Sequence, residues 1–385
     1  MSVAVQEQDR IDAATSPEPR WPLLRPVLIF HLITRGLVIT ALVIASALSG
    51  RTLPEVVTRW DGLWYQRVAV EGYPSPLPLH PDGRVMSSTA AFFLIFPLLV
   101  KGLMATGIPF WLAGMIINLI ASTGAVMIIV LVGRSYLDRR PAQLLGCLWA
   151  AFPVSAVLST TYTEAVFTLF GAAALLFTAR RNWILAGVAA ALAGATRSPG
   201  IVYAGAVGLG ALVAIIRDRE WRSLAGAIIA PLGFVGSVLY IGLRTGTLDA
   251  WQLTERDGWH TSMSSGSSWW DFLTAPPATV QGRLHIAIAI FGIALLVLTL
   301  VAVVQRPPAP IIGLMLVGAF TAFAFGGVAM NAAPRVMMSF FPILAPLAIL
   351  LDRLPPALRW ILLGAGAALA AVIGGYYFAF APLPP

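Results

Sequence analysis

Long apolar segments, separated by short polar stretches, run through almost the whole chain of 385 residues. Hydrophobic residues make up 58% of the sequence and charged residues 11%, whereas charged residues average about 25% in a soluble domain. A helix needs about 20 mostly apolar residues to cross the hydrocarbon core of a bilayer, and several segments reach that length. The pattern predicts an all-α polytopic membrane protein.

The formal net charge is +8, and every basic residue except Lys101 is an arginine. An excess of arginine in short cytoplasmic loops is the positive-inside pattern of membrane proteins, so the charge indicates no nucleic-acid partner. This arginine usage fits a GC-rich bacterial genome, and the expected location is the bacterial cell membrane. Cys147 is the single cysteine, and the four histidines lack the spacing of metal ligands. No disulfide framework and no metal site are predicted.

The arginine-rich loops orient about eleven predicted transmembrane helices, with the amino end inside and the carboxyl end outside. Residues 89–105 are predicted to be interfacial or re-entrant, because a crossing there would separate the polar stretches onto different sides of the membrane. The run between Arg140 and Arg180 is too long for one span and breaks at residues 160–164, so it is predicted to cross twice. The other predicted spans are residues 27–48, 110–133, 183–195, 201–216, 223–243, 284–304, 311–328, 336–351 and 357–380.

The domain organisation follows from these spans. A single integral membrane domain is predicted at residues 27–380, with a first outer loop at 50–109 that carries short interfacial helices and a second outer loop at 245–283. Residues 1–26 mix acidic and basic side chains without an apolar centre, which predicts a disordered cytoplasmic tail and not a signal peptide. Residues 381–385 are predicted to form a short outer tail.

The first outer loop contains a polar and aromatic stretch at residues 58–74. Asp61 is the predicted general base, because a carboxylate near the outer mouth of a membrane protein can accept a proton from a substrate; a simple helix cap is the competing interpretation. The surrounding side chains are predicted to position Asp61 or to contact the substrate, although an interfacial aromatic belt would have the same composition. They are Arg59, Trp60, Trp64, Tyr65 and Tyr73.

Polar residues that interrupt later apolar runs are further candidates. Arg197 and Arg335 lie on the predicted outer side, where the positive-inside pattern does not explain them, so they are predicted to bind an anionic group. The competing interpretations are a snorkelling side chain for Arg197 and a helix stop signal for Arg335, which follows Pro334. Glu164 is interpreted either as a helix cap or as a group that holds Arg197 or a sugar hydroxyl. His260 is a weaker candidate, since histidines in such a loop are more often surface residues.

Several of these stretches resemble one family. Residues 59–65 (RWDGLWY), followed by residues 68–69 and 71–74, resemble the Trp-Asp motif in the first outer loop of PIG-V-type mannosyltransferases, and residues 90–99 are similar to the aromatic-proline run that follows it. Residues 161–167 resemble the family's Tyr-Ser-Glu-Ser-Leu-Phe segment, with Ala165 in place of a serine. Residues 195–200 resemble its Ala-Arg-Ser-Asn-Gly segment, with Pro199 in place of asparagine. Residues 334–342 resemble its late arginine-containing motif.

The resemblance to PIG-V-type (GPI mannosyltransferase 2-like) enzymes implies a bacterial member with the GT-C glycosyltransferase fold. It implies that a polyprenyl-phosphate-mannose donor supplies a mannosyl residue to a glycolipid, glycan or protein acceptor on the extracytoplasmic face. In the expected inverting displacement, Asp61 takes the acceptor proton, and Arg197 or Arg335 stabilises the leaving phosphate. The scheme requires no cofactor and leaves room for a divalent metal ion.

Three other functions fit the same composition. Broken helices with an arginine at the break also suit a transporter or flippase of a lipid-linked or anionic substrate. A GT-C enzyme could use a different lipid-linked sugar, and a non-catalytic subunit of a glycosylation complex would not need Asp61. An inverted repeat would favour transport, and none is seen, since the Trp-Asp stretch has no counterpart in the second half of the chain.

Overall fold

The computed structural model describes residues 20–261, 267–274, 280–324 and 329–382. In its first half the helices are α1 (Arg20–Ser49), α2 (Leu53–Val57), α3 (Asp61–Val70), α4 (Ile95–Met104), α5 (Phe110–Gly133), α6 (Arg139–Ala150), α7 (Glu164–Ala179), α8 (Trp183–Thr196) and α9 (Gly200–Asp218). In its second half they are α10 (Ser223–Ile229), α11 (Leu232–Thr245), α12 (Ala250–Leu253), α13 (Ser267–Thr274), α14 (Val280–Val304), α15 (Ala309–Phe323), α16 (Ala329–Ser339), α17 (Ala345–Asp352) and α18 (Pro356–Ala379). Short 3-10 helices cover Thr89–Ala91, Ser155–Ser159 and Phe341–Leu344, and a π-helical turn covers Thr254–Gly258.

Within the described residues, six helices are long and apolar enough to cross a bilayer. They are Trp21–Ser49, Phe110–Gly133, Gly200–Asp218, Ser223–Thr245, Ile286–Val304 and Pro356–Ala379. A seventh crossing results if the pair Asn331–Ser339 and Phe341–Asp352, bent by 87°, counts as one span. The chain is therefore an all-helical, multi-pass membrane protein, as predicted.

The predicted number of eleven spans stays a prediction. Four apolar helices, α4, α7, α8 and α15, have 10, 16, 14 and 15 residues. Even 16 residues make a helix of only about 24 Å, which is shorter than a hydrocarbon core of about 30 Å. For α4, in the segment predicted to be interfacial or re-entrant, ten residues are too few for a crossing.

Two predicted boundaries differ from the structure. Helix α1 begins at Arg20 and not at residue 27, because Leu23 is buried and its carbonyl accepts a hydrogen bond of 2.8 Å from Gln143; of the predicted tail, residues 1–19 lie outside the described residues. The predicted span at 336–351 is interrupted, since α16 ends at Ser339 and the chain turns sharply before α17. Pro342, which has no N–H to donate, lies in the 3-10 helix at that bend.

The polar residues of α1 face protein. Arg35 is buried and donates to the carbonyls of Ser155 and Ala150 at 2.5 and 2.6 Å, and to the Ser155 hydroxyl at 2.9 Å. His31 is buried as well, with Nε2 3.2 Å from the Ser122 hydroxyl. A guanidinium in the membrane is tolerated when protein oxygens surround it. Arg35 therefore satisfies carbonyls at the end of α6 and at the start of the 3-10 helix that follows it.

Contacts between helices bring the ends of several helices close together. Helix α7 packs between α5 and α8, and α1 packs against α18. Helix α16 packs against α7, α14 and α15. The first residue of α7 is Glu164 and α16 carries Arg335, so this contact places two of the predicted site residues side by side. The break between α8 and α9 lies at residues 197–199, between the predicted spans 183–195 and 201–216.

Close packing of α8 against α11 depends on glycine. A Cβ atom added at Gly233 would overlap the carbonyl oxygen of Ala191, whereas a Cβ at Gly236, one turn further along α11, would meet nothing within 4 Å. Backbone approach through small residues is the usual way in which membrane helices associate. Since α8 leads directly into Arg197, this contact also helps to position that side chain.

We expect Gly233→Ala to lower the free energy of unfolding by about 1–3 kcal/mol, because the overlapping atom belongs to backbone that cannot rotate away. Gly236→Ala is the matched control, since both changes gain the same helix propensity and only one creates an overlap. Thermal unfolding of the purified protein in detergent measures both. Equal midpoints for the two variants would contradict the packing described for α8 and α11.

Candidate functional site

A cavity of about 1060 Å³ opens among the two loops and four of the helices. The first loop and α3 contribute Trp60, Asp61, Trp64, Tyr65, Ala91, Phe92 and Phe93. The second loop contributes Trp251, Gln252, Glu255, Arg256, Trp259 and Thr261. The helices and their breaks contribute Arg197, Ser198, Pro199, Ile201, Phe234, Thr321, Ala322, Asn331, Ala332, Ala333, Arg335, Val336 and Pro382. The lining is mostly apolar, with a few polar groups, as is common in small-molecule sites.

Two carboxylates and two arginines form a connected network beside this cavity. Nη1 of Arg335 lies 2.6 Å from Oδ2 of Asp61 and 3.3 Å from Oε1 of Glu164. Arg197 donates to the same Oε1 of Glu164. The side chains of Glu164 and Arg335 are 0% and 6% exposed, while that of Asp61 is 21% exposed. Of the two carboxylates, Asp61 is thus the one that lines the cavity. Glu164 lies outside the lining and binds both arginines.

The backbone before Asp61 adopts a rarely populated conformation. Trp60 has φ 61° and ψ −121°, and α3 begins at the next residue. A non-glycine residue at positive φ costs free energy and persists only where surrounding contacts enforce it. The Arg59 guanidinium lies over the Trp60 ring, 4.5 Å from its centroid. This turn directs the start of α3, and with it Asp61, into the cavity.

The glycine of the Trp-Asp-Gly sequence permits a second close approach. A Cβ at Gly62 would overlap the side-chain oxygen of Thr161, whose hydroxyl and N–H both bond the carbonyl of Val57, at 3.0 and 3.1 Å. Tyr65 adds a bond of 3.2 Å between its hydroxyl and that of Thr163. These contacts join the first loop to the start of α7. Asp61 and Glu164 therefore take their relative positions from one packed unit.

A side chain of α5 binds the backbone of the non-helical stretch just before α7. Asn118 is buried and its amide donates to the carbonyls of Thr160 and Tyr162 at 2.5 and 2.7 Å. Backbone carbonyls at membrane depth need such partners. The Tyr162 ring in turn lies 5.1 Å from the guanidinium carbon of Arg335, so the same stretch also supports the central arginine of the network.

The structure brings most of the predicted site residues together. Asp61, Trp60, Trp64, Tyr65, Arg197 and Arg335 line the cavity. The helix-cap interpretation of Glu164 is incomplete. The residue does open α7, but its carboxylate binds Arg197 and Arg335.

Besides Glu164, three predicted residues lie away from the cavity lining, and each has another partner or environment. Arg59 donates to the carbonyl of Phe378 at 3.3 Å, and the Tyr73 hydroxyl donates to the carbonyl of Phe92 at 2.7 Å. His260 is exposed and has φ 52°. Adjacent side chains of a turn or short helix point in different directions. These three side chains therefore lie outside the cavity lining, although they are near Asp61 or Trp259 in sequence.

Glu255 is the main cavity residue that sequence reasoning missed. It lies in the π-helical turn of the second loop and lines the cavity, and its carbonyl accepts a hydrogen bond of 2.9 Å from the Thr261 N–H. Desolvation raises the pKa of Glu255 to about 7; Asp61 acts in the same direction, while the Thr261 side chain and Arg197 oppose it. Its flanking tryptophans, Trp251 and Trp259, were a usable signal, because an acid between tryptophans had already marked Asp61.

The cavity can bind an anion and accept a proton at neighbouring positions. Arg197 and Arg335 offer guanidinium donors suited to phosphate or carboxylate oxygens, and the Asp61 carboxylate lies directly beside Arg335. Asn331 lines the same cavity, and its side-chain oxygen is buried without a hydrogen-bond partner. Within the described parts of the chain, no group of three or more His, Cys, Asp or Glu side chains is placed to hold a metal ion.

Comparisons with known proteins find a likeness in structure. No family model matches the sequence, and no curated protein matches it. The fold is similar to the crystal structure of ArnT from Cupriavidus metallidurans bound to undecaprenyl phosphate, with 16% sequence identity and a TM-score of 0.48. The alignment covers 87% of this chain and 62% of the ArnT chain, so this chain spans less than two thirds of that protein.

Proposed function

We propose that this protein is a glycosyltransferase that moves a sugar from a polyprenyl-phosphate carrier to a hydroxyl acceptor on the extracytoplasmic face of the membrane. The observation that carries the proposal is the contact of 2.6 Å between Asp61 and Arg335 at the wall of a large cavity, with Arg197 joined to Arg335 through Glu164. A proton acceptor and two groups for a leaving phosphate are the parts that such a transfer needs.

The sequence supports the same reaction class. Four of the six cavity residues predicted from sequence, Trp60, Asp61, Trp64 and Tyr65, belong to the stretch that resembles the Trp-Asp motif of PIG-V-type mannosyltransferases, within the GT-C superfamily. Arg197 and Arg335 belong to two further stretches that resemble the same family. Mannose is the donor sugar that this resemblance implies, and polyprenyl-phosphate mannose is therefore the first donor to test.

A lipid carrier also follows from the proposed location. Nucleotide sugars are made in the cytoplasm, so an enzyme that faces the other side needs a donor that can be presented within the membrane. Ile201, Phe234, Ala322 and Val336 give the cavity an apolar lining between helices. An isoprenoid chain is compatible with such a lining, because transfer of apolar surface out of water is favourable.

The proposed mechanism is a single displacement with inversion. An acceptor hydroxyl attacks the anomeric carbon, the bond from that carbon to the phosphate oxygen breaks, and the hydroxyl proton moves to Asp61. Asp61 meets Arg335 through Oδ2, which leaves Oδ1 for the hydroxyl. The arginine thereby orients the base, and the departing oxygen keeps the electron pair of the broken bond.

Arg335 couples the two ends of this displacement through charge. The phosphodiester of the donor carries one negative charge, and the leaving phosphate monoester gains a second. When Asp61 takes the proton, its carboxyl becomes neutral and its attraction for Arg335 falls. Arg335 can then turn toward the phosphate at the moment when the phosphate charge increases, while Glu164 keeps the guanidinium close.

A transporter or flippase is the second candidate, and one observation favours it. The chain bends by 87° between Asn331–Ser339 and Phe341–Asp352, next to Arg335, and broken helices are common at the binding sites of transporters. The two functions differ in product. A transporter moves the lipid-linked sugar without breaking its glycosidic phosphate bond, whereas a transferase releases polyprenyl phosphate.

A donor panel tests the proposal. We expect purified protein in liposomes to transfer label from polyprenyl-phosphate mannose to acceptors extracted from the host membrane, and to use other polyprenyl-phosphate sugars more slowly. The anomeric configuration of the product, determined by nuclear magnetic resonance, should be opposite to that of the donor. Label that crosses the bilayer on an intact donor would favour the transporter instead.

A further inference from the structure

The cavity has two linings of different chemistry. The break between α8 and α9, together with α16, contributes the cations Arg197 and Arg335. The second loop contributes Trp251, Gln252, Glu255, Arg256 and Trp259. The phosphate of the donor has an evident place beside the first lining. The proposed transfer step gives the second lining no role.

Glu255 determines the net charge of the second lining. Arg256 lies in the same turn, but it is paired with Asp257 through two bonds of 2.6 and 3.0 Å, which offset its charge. No ion pair joins Glu255 to an arginine within the described part of the chain. The Glu255 carboxylate, which lines the cavity, is therefore available to a ligand there.

Aromatic side chains on both sides of Glu255 offer apolar faces and donors. The Trp259 ring lies 5.1 Å from Trp64 in an edge-to-face arrangement, and the Trp251 ring lies 5.5 Å from Phe234. The indole nitrogens of Trp251 and Trp259 are buried without a hydrogen-bond partner. An indole N–H can only donate, so this lining combines donors with one strong acceptor.

The first loop holds this turn in place. The Ser87 hydroxyl donates to the carbonyl of Gly258 at 2.6 Å, and a Cβ at Gly258 would lie 2.8 Å from the Ser87 nitrogen. The Thr254 hydroxyl bonds the carbonyl of Ala250 at 2.7 Å inside the same segment. A turn fixed on both sides presents Glu255 in a defined position, as a binding residue requires.

We infer that the turn Thr254–Gly258 and its flanking tryptophans bind the acceptor, and that Glu255 selects acceptors by charge. The inference rests on the proposed function and names the acceptor class: a neutral molecule with neighbouring hydroxyl groups. Those hydroxyls donate to the Glu255 carboxylate, and the indole groups of Trp251 and Trp259 donate to acceptor oxygens. An anionic acceptor would be repelled by the same carboxylate, and like charges brought together at an interface are strongly disfavoured.

The selection should depend on pH in a direction that the surroundings of Glu255 determine. The charged groups near it are Asp61 on α3, Arg197 after α8, and the paired Arg256 and Asp257 in its own turn. Because burial raises the pKa of Glu255 to about 7, the carboxylate is mostly ionised at pH 8.5 and mostly protonated at pH 5.5. Discrimination against an anionic acceptor should therefore be strong at pH 8.5 and weak at pH 5.5.

A pair of soluble probes tests the inference. Hexyl glucoside and hexyl glucuronide have the same ring and tail and differ in charge. We expect purified wild-type protein at pH 8.5 to bind the glucoside at least about tenfold more tightly, as measured by quenching of tryptophan fluorescence. Glu255→Gln should remove most of that preference by improving binding of the glucuronide, which damage to the fold would not do.

Asp249→Asn is the matched control, because it removes one carboxylate from an exposed position of the same loop outside the cavity lining. The inference is overturned if wild type does not bind the glucoside, if the preference survives in Glu255→Gln, or if Asp249→Asn loses it equally. Sugar transfer measured on the same preparation separates the two proposals. Normal transfer with a preference that does not depend on Glu255 overturns only this inference, whereas failed transfer overturns the proposed function and the acceptor role together.

Discussion

Asp61→Asn is expected to lower the rate of sugar transfer by about 10²–10⁴-fold, the usual contribution of a general base. Asparagine keeps the size of the side chain but cannot take the acceptor proton at neutral pH. Arg335 keeps its contact with Glu164, so the fold should tolerate the change. The measurement is the initial rate of label transfer from the polyprenyl-phosphate donor, at matched amounts of protein in liposomes.

His260→Asn is the control for this experiment. His260 is exposed, lies outside the cavity lining and has φ 52°, a conformation that asparagine adopts readily. We expect it to transfer sugar at the wild-type rate. A transfer rate in Asp61→Asn equal to that of His260→Asn would show that Asp61 is not the base.

Glu164→Gln is expected to lower the free energy of unfolding by about 1–3 kcal/mol, the cost of leaving a partly buried charged group without its partner. Glu164 is fully buried and is the carboxylate that contacts both Arg197 and Arg335. Arg335 retains Asp61 in this variant, so most of the loss should come from Arg197. Thermal unfolding in detergent, followed by circular dichroism, measures the effect.

Removal of Arg197 from the same background checks the cause. In the double variant Glu164→Gln, Arg197→Gln, no unpaired guanidinium remains at residue 197, so it should be less destabilised than the sum of the two single variants. Strict additivity would mean that the contact between Glu164 and Arg197 contributes little to the folded state. Sugar transfer should be low in every member of this set, because each lacks part of the network.

Polar residues within apolar segments were the most informative part of the sequence. A charged side chain at membrane depth is costly and usually faces protein or a cavity, and Arg35, Glu164, Arg197 and Arg335 all do so. The pairing of Asp61 with Arg335 could not be predicted, because it depends on how α16 packs against α7 and the first loop. The order of residues in the sequence does not show that these two side chains are in contact.

Glu255 was missed for the opposite reason. The second loop is long and polar, so a carboxylate there carries no cost that would mark it, and its role depends on a π-helical turn that packs against the first loop. Arg59 and Tyr73 show the converse case. Both are near Asp61 in sequence, but their side chains bond the carbonyls of Phe378 and Phe92 and do not line the cavity.

The helical membrane architecture was predictable from composition, and the shape of individual spans was not. Apolar length locates helices such as α5 and α18. The bend after Ser339 results from local backbone chemistry at Pro342 and from packing, which hydropathy does not report. Labelling of introduced cysteines near Asp61 and Arg139 in a Cys147→Ser background tests the sidedness of the first outer loop. Opposite sides are expected, and labelling from the same side would contradict the prediction that residues 89–105 do not cross the membrane.

A single-turnover experiment tests the central claim most directly. Purified wild-type protein in liposomes is mixed in excess over polyprenyl-phosphate mannose labelled in the sugar, with extracted acceptors present. We expect one free polyprenyl phosphate for each labelled sugar that appears in a new glycosidic bond. Donor that stays intact, whether it remains in place or crosses the bilayer, would contradict sugar transfer in this cavity.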